Sequence, residues 1–215
     1  TELVKRLFEL EVPEIYEKIV EIVNAVRDPG MRTKVAVLSH NPKVDPVGAC
    51  VGIKGARVKP IIDELKGERI DLIPYSTDPA KYISAALAPA KVISVLVLSE
   101  EDKKAEVTVA DDMLSLAIGK SGHNVRLAAK LTGWHIDVKS EGQKKQESHD
   151  KAERETAALE RLEGLSDKTV EILVKAGFTN IEKLTKLTVD DLTTLPGIGP
   201  KTAEKIIEAA KKIVD

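Results

Sequence analysis

Two short glycine-containing segments have the composition of a phosphate-binding loop. Gly52–Gly55 reads Gly-Ile-Lys-Gly, and Gly119–Gly122 reads Gly-Lys-Ser-Gly. Glycine leaves space where a sugar-phosphate backbone must come close, and the start of a following helix offers free N–H groups with partial positive charge. Either segment can therefore dock phosphate, although a single GxxG also occurs often in ordinary turns.

Basic residues accompany both loops. Lys54 lies inside the first loop and is followed by Arg57 and Lys59, while Lys120 and Arg126 take the corresponding places in the second. These cations would add charge-assisted contacts to phosphate, and such binding weakens as salt concentration rises.

The elements around the first loop predict a mixed fold. Apolar residues recur at three- and four-residue spacing through the first 28 residues, which predicts one long helix ending at Asp28-Pro29-Gly30. The following segments are predicted as a strand, a helix, the loop, a helix and a strand, at residues 34–39, 47–51, 52–55, 56–65 and 69–74.

A similar order of elements surrounds the second loop. A helix at 79–87 precedes two strands at 92–99 and 105–110, and Asp111 is predicted to cap the helix that leads into the loop. A helix at 123–131 and a strand at 134–138 follow. Repetition of a whole supersecondary unit is much harder to obtain by chance than one motif.

A GxxG loop that joins two helices flanked by strands is the KH arrangement, which clamps about four nucleotides of single-stranded nucleic acid. Strand before helix favours the type II topology, and an aromatic content of 3% argues against an RRM. We therefore predict RNA contacts from residues around both loops. They are Val51, Gly52, Ile53, Lys54, Gly55, Arg57 and Lys59 in the first repeat, and Ile118, Gly119, Lys120, Ser121, Gly122, Asn124 and Arg126 in the second.

The C-terminal part contains a different repeat. Residues 141–156 lack apolar periodicity and are predicted as a linker or an exposed helical arm. Beyond them, the segment that starts at Leu162 resembles the one that starts at Leu195, which predicts an all-α tandem helix-hairpin-helix domain over residues 157–215. Its shared core is predicted from ten apolar residues: Leu162, Leu165, Val170, Leu173, Leu184, Leu187, Leu192, Leu195, Ile198 and Ile206.

The second hairpin has its own candidate contacts. Gly197 and Gly199 expose backbone N–H groups that, with Lys201 and Thr202, could hold a phosphate of DNA or RNA without reading its sequence. The first copy has Ser166 in place of Gly199, so we expect its hairpin to be structural. Residues 141–215 carry 13 basic and 15 acidic residues, which slightly favours protein contacts over nucleic acid.

Composition excludes several classes of protein. The net charge of −2 means that any nucleic-acid site must be local. The lone Cys50 excludes an intramolecular disulfide, no Cys or His cluster has metal-ligand spacing, and no nucleophile lies beside a plausible base. We expect a monomeric cytoplasmic protein with no cofactor, no metal, no membrane span and no enzymatic activity.

Long segments of the chain resemble the KH pair of the NusA family of bacterial transcription factors. They are LFELEVPEIYEKIVEI, DPVGACVGIKGARVKPIIDELKGERIDLI, YISAALAPAKV and MLSLAIGKSGHNVRLAAKLTGWHIDVKSE. The resemblance implies two KH domains, at residues 1–75 and 76–140, that act in transcription elongation, termination and antitermination. It also implies partners, namely single-stranded RNA, RNA polymerase and other transcription factors.

The N-terminal polymerase-binding domain and the OB-fold domain that this family carries before the KH pair are not found in the sequence, so we expect a fragment. The alternative function is a protein-interaction scaffold of the transcription complex, in which the KH folds are structural.

Overall fold

The structure is a computed structural model of the 215-residue chain, and it describes residues 1–160, 162 and 165–214. The chain forms two compact units, Thr1–Lys144 and Lys145–Asp215.

The first repeat contains seven elements. In chain order they are α1 (Glu2–Glu11), α2 (Pro13–Tyr16), β1 (Val20–Asp28), β2 (Arg32–Ser39), α3 (Pro46–Val51), α4 (Val58–Glu64) and β3 (Arg69–Pro74). The three strands form a sheet in the order β1-β2-β3, in which β2 runs antiparallel to β1 and parallel to β3.

The second repeat has the same architecture. Its elements are α5 (Pro79–Ala86), β4 (Val92–Ser99), β5 (Lys104–Val109), α6 (Leu114–Ile118), α7 (His123–Thr132) and β6 (His135–Ser140). The sheet order β4-β5-β6 again combines one antiparallel and one parallel pair. Both repeats therefore read helix, strand, strand, helix, loop, helix, strand, and the predicted duplication is confirmed.

The prediction of one helix through residue 28 is wrong. Helix α1 ends at Glu11, and Val20–Asp28 forms strand β1, which pairs with β2 from Val20 opposite Ser39 to Asp28 opposite Arg32. The valines and isoleucines after residue 18 suit a strand as well as a helix, because β-branched side chains pack well on a pleated surface. Pairing with β2 decides between the two.

The sheet of the first repeat is covered on both faces. Val35 and Val37 belong to a core with α1 and α4, whereas Ala36 and Ile73 belong to the core that contains the buried residues of the second repeat. Because side chains alternate between the faces of a strand, β2 serves both cores. The two repeats consequently fold as one unit.

Hydrogen bonds also connect the first repeat with the second. The ammonium of Lys34 is fully buried and donates to the Ala88 carbonyl at 3.1 Å and to Asp71 at 2.9 Å. Burial lowers the pKa of Lys34, and the Asp71 carboxylate acts in the opposite direction. From β1, Asn24 Nδ2 donates to the Leu131 carbonyl at 2.9 Å.

The structure decides two local predictions around the second repeat. Asp111 is not an N-cap: it begins a 3-10 turn, and its carboxylate accepts from the Gly142 N–H at 3.1 Å. Residues 141–156, expected as a linker or an exposed arm, form part of helix α8 (Glu141–Glu160), so the helical alternative is observed.

The second unit is helical wherever the structure describes it. After α8 come α9 (Asp167–Lys175), α10 (Ile181–Leu184), α11 (Val189–Thr193) and α12 (Pro200–Val214). The predicted core is confirmed, since seven of its ten residues are buried and the other three, Leu165, Leu187 and Leu195, pack against them. A pseudo-twofold relation between the two hairpins stays a prediction.

Candidate nucleic-acid interface

The two GxxG loops follow the same backbone path. Gly52 has φ 73° and ψ 171°, and Gly119 has φ 76° and ψ 166°. Inside the loops, Lys54 lies at φ 54° and ψ 25° and Ser121 at φ 51° and ψ 29°. Left-handed φ and ψ values are uncommon for residues other than glycine. Their occurrence at the same position of both loops shows that the two loops adopt the same conformation.

The two glycines of each loop have different roles. A Cβ at Gly52 would lie 2.8 Å from Cγ of Arg57, and a Cβ at Gly119 would lie 2.8 Å from the backbone N of Asn124. The first glycine therefore lets the next helix come close. At Gly122 a Cβ would meet nothing within 4 Å, which leaves this part of the loop open to an approaching sugar-phosphate backbone.

Several side chains in and beside the loops are exposed to solvent. Lys54, Lys59 and Lys120 are exposed, and the structure records no ion pair for them among the residues it describes. Ile53 is 86% exposed, and Ile118 is 36% exposed at the end of α6. The equivalent Val51 at the end of α3 is half-buried. The lysines are therefore available to an anionic ligand.

Arg57 and Asn124 make hydrogen bonds within the fold next to the loops. Each lies five residues after the first glycine of its loop. Arg57 Nη1 donates to the Ala49 carbonyl at 2.7 Å and to Glu14 Oε2 at 2.8 Å, so this guanidinium is engaged within the fold. Asn124 is fully buried, and its Nδ2 donates to the carbonyls of Leu87 at 2.9 Å and Ala117 at 3.1 Å. This burial argues against the predicted RNA contact of Asn124, which stays a prediction.

Arg126 is joined to the first repeat. Its Nη2 donates to Asp28 Oδ2 at 3.3 Å, and the same carboxylate oxygen lies 2.7 Å from His123 Nδ1. The Arg126 side chain is half exposed, so part of its guanidinium still faces solvent. Asp28 and His123 were not among the predicted site residues, because the contact between Asp28 and Arg126, 98 residues apart, leaves no local signal.

A groove of about 510 Å³ runs between helix α7 and the start of strand β6. Aliphatic side chains line it together with Arg126 and His135, an arrangement that can hold flat bases against apolar surface beside a cation. Its lining residues are Leu98, Lys104, Ala105, Val125, Arg126, Ala129, His135, Ile136 and Asp137.

The second hairpin of the helical unit presents an open turn. Gly197 has φ 96° and a Cβ there would lie 3.0 Å from Ile172, while a Cβ at Gly199 would meet nothing within 4 Å. Lys201 is exposed and Thr202 is half-buried at the start of α12. In the first copy, the Ser166 hydroxyl accepts from the Thr169 N–H at 3.4 Å and so covers the helix start. Gly164 lies outside the described residues.

The described residues offer neither a metal site nor a membrane-spanning helix. Over residues 1–160, 162 and 165–214, no group of three or more His, Cys, Asp or Glu residues is placed to hold a metal ion. Within the same residues, no helix combines the length and apolar character needed to cross a membrane. The single cysteine, Cys50, is buried, and burial raises its pKa to about 12.

Three family profiles match the chain. The NusA-like first KH domain matches residues 1–75, the NusA-like second KH domain matches residues 79–146, and the SAM-like helix-hairpin-helix tandem matches residues 156–212. The predicted fold class, two type II KH domains followed by a small all-α tandem helix-hairpin-helix domain, is confirmed.

Curated relatives give the same result. The chain is 57% identical over 139 residues to the transcription termination/antitermination protein NusA of Bacillus subtilis, covering 65% of this chain and 37% of that protein. It is 54% identical over 162 residues to NusA of Halalkalibacterium halodurans, covering 74% and 42%. With NusA of Rickettsia conorii it is 38% identical over 216 residues, covering 100% and 43%.

Proposed function

Since the chain belongs to the NusA family, we propose that its two KH domains bind single-stranded RNA, without catalysing a reaction, in transcription elongation, termination and antitermination. The chain spans less than half the length of the curated relatives it matches. RNA polymerase and other transcription factors are the proposed protein partners, and the bacterial cytoplasm is the proposed setting.

One observation carries this proposal: the same open loop occurs twice in one folded unit, each time with an exposed lysine inside it. Two phosphate-binding loops on one body can hold successive parts of a single strand. The adjacent apolar groove suits unstacked bases, which a duplex does not offer.

A titration of labelled oligonucleotides tests this function. The chain should bind single-stranded RNA more tightly than duplex DNA of the same length, and its affinity should fall with salt by a slope of about 0.7 per phosphate contacted. Equal binding to both nucleic acids, or binding that does not respond to salt, would favour the scaffold alternative.

For the helical unit we propose protein contacts rather than nucleic acid. Its charge balance is slightly acidic, and Ser166 occupies the helix start at which the first hairpin could have held a phosphate. The test uses Lys201→Glu, which reverses the charge at the second hairpin while keeping the turn. Unchanged RNA and DNA binding supports the proposal, whereas weaker DNA binding assigns Gly197, Gly199, Lys201 and Thr202 to nucleic acid.

A further inference from the structure

The end of strand β1 contacts the helix that follows the second GxxG loop. Asp28 is the last residue of β1, and its Oδ2 lies 2.7 Å from His123 Nδ1 and 3.3 Å from Arg126 Nη2. His123 is the first residue of α7 and Arg126 lies about one turn later, so both side chains occur on one face of this helix. One carboxylate of the first repeat therefore contacts two side chains beside the RNA loop of the second.

The backbone that carries Asp28 is held by its neighbours. Asp28 pairs with Arg32 across β1 and β2, and its carbonyl accepts from the Met31 N–H at 3.0 Å. The preceding Arg27 donates from Nε and from Nη2 to the buried Glu68 carboxylate, each at 2.9 Å. An aspartate on a paired strand has a short side chain, whereas an arginine on a helix surface has many rotamers to lose. The carboxylate therefore restricts the guanidinium, rather than the reverse.

Arg126 keeps most of its hydrogen-bond donors available. Its recorded contacts with the described residues, to Asp28 Oδ2 and to His123 Nδ1 at 3.3 Å, are both made by Nη2. A guanidinium also carries N–H donors on its other two nitrogens, in a planar arrangement that matches phosphate oxygens. Half of the side chain is exposed to solvent. Arg126 can therefore bind a phosphate while Asp28 still holds it.

The groove beside α7 separates the arginine from the aspartate. Arg126 lines this groove together with Val125 and Ala129, and Asp28 is not among the residues that line it. A ligand that fills the groove would therefore contact the guanidinium and not the carboxylate. This placement favours an aspartate that orients Arg126 over one that competes with a phosphate for it.

We propose that Asp28 of the first KH domain is a positioning residue for RNA binding by the second, because it orders Arg126 in the groove before RNA arrives. The inference rests on the proposed function, single-stranded RNA binding by the KH pair. Binding normally loses affinity when it has to immobilise a long side chain, and a side chain that is ordered in the free protein avoids that loss. The RNA site of the second repeat is thus completed by the first repeat.

Removal of the Asp28 side chain has two opposing effects on RNA affinity. Loss of a negative charge strengthens the binding of a polyanion, but by less than about twofold for partly exposed charges several ångströms apart at physiological salt. Loss of the contact that orders Arg126 should weaken binding roughly fivefold, the factor for immobilising one long side chain. The second effect is larger, so Asp28→Ala should bind RNA about two- to threefold more weakly than the wild type.

Titration of a fluorescein-labelled single-stranded RNA of random sequence, followed by anisotropy, tests the proposal. Asp28→Asn is the matched control, because it loses the same charge as Asp28→Ala but keeps an oxygen that accepts from Arg126. The Asn variant should therefore bind about fivefold more tightly than the Ala variant. Arg126→Gln alone should weaken binding and lower the salt slope by about 0.7, the value for one phosphate contact. Fluorescence of Trp134, the only tryptophan, shows that each variant is folded.

The same Asn and Ala pair in the Arg126→Gln chain separates positioning from a structural role. The difference between the two variants should vanish there, because no guanidinium is left to order, whereas a general effect of Asp28 on the fold or on His123 would persist. A persisting difference overturns the proposal, as does an Ala variant that binds as tightly as the Asn variant. Both results leave RNA binding by the wild type intact, so the proposed function stands. A wild-type chain that does not bind this RNA overturns the function and the inference together.

Discussion

Replacement of the buried Asn124 by alanine should loosen the second KH domain without removing an RNA contact. The amide holds the Leu87 and Ala117 carbonyls, which would be left buried and without that donor. Two lost hydrogen bonds cost about 1 kcal/mol each, and the stranded carbonyls add roughly 1 kcal/mol. Asn124 Oδ1 is itself buried without a partner, so its removal returns about 1 kcal/mol.

The expected loss is therefore about 2 kcal/mol in the free energy of unfolding. Urea denaturation can be monitored by the fluorescence of Trp134. This tryptophan packs against the buried residues of the second KH domain, so its signal reports on the core that contains Asn124's neighbours. The midpoint should fall by roughly 1 M with the slope unchanged. Asn41→Ala, in an exposed turn, is the control and should cost less than about 0.5 kcal/mol.

RNA binding separates the two explanations of Asn124. Under conditions where the variant is folded, the salt slope of RNA affinity should equal that of the wild type, because no cation has been lost. A destabilisation below about 0.5 kcal/mol, or a reduced salt slope in a fully folded variant, would refute the reasoning.

Two other buried groups give further predictions. Glu68 is 1% exposed and accepts hydrogen bonds from Arg27, Thr33 and the Gly30 N–H. Glu68→Gln should therefore lower the free energy of unfolding, measured by urea denaturation, by about 3 kcal/mol. A loss near zero would contradict these contacts. Burial alone would raise the pKa of Glu68, but these hydrogen bonds hold it below its ordinary value. The free energy of unfolding that wild type has over Glu68→Gln should therefore be complete at neutral pH and shrink as pH falls through that lowered pKa. A difference that does not change with pH would contradict this. Cys50, with its pKa raised to about 12, should resist a thiol reagent at mildly alkaline pH until the chain unfolds, and rapid labelling of the native chain would show that it is accessible.

Glycine spacing and helical periodicity were sufficient to locate much of this fold. The GxxG loops were found because only glycine tolerates the backbone that Gly52 and Gly119 adopt beside the next helix. The helical unit was predicted to the level of its core, because the similarity of the segments that start at Leu162 and Leu195 indicated two hairpins with shared apolar positions. Both signals are local, and local signals survive in a single sequence.

The errors arose where distant contacts decide. Residues 20–28 became a strand because β2 was available to pair with them, which their own spacing could not reveal. Asn124 was predicted as a contact from its place beside the loop, whereas its amide donates to the Leu87 carbonyl, 37 positions earlier in the chain. The contact between Asp28 and Arg126 could not be predicted for the same reason.

The most direct test of the central claim is the salt dependence of RNA binding by Lys54→Asp/Lys120→Asp, which reverses one charge in each GxxG loop. Lys18→Asp/Lys168→Asp makes the same charge change outside the loops, and Lys18 shares the left-handed backbone of Lys54. Loss of two phosphate contacts should reduce the slope by about 1.4 and weaken binding, while the control keeps the wild-type slope. A folded loop variant that binds single-stranded RNA with the affinity and slope of the wild type would contradict the account.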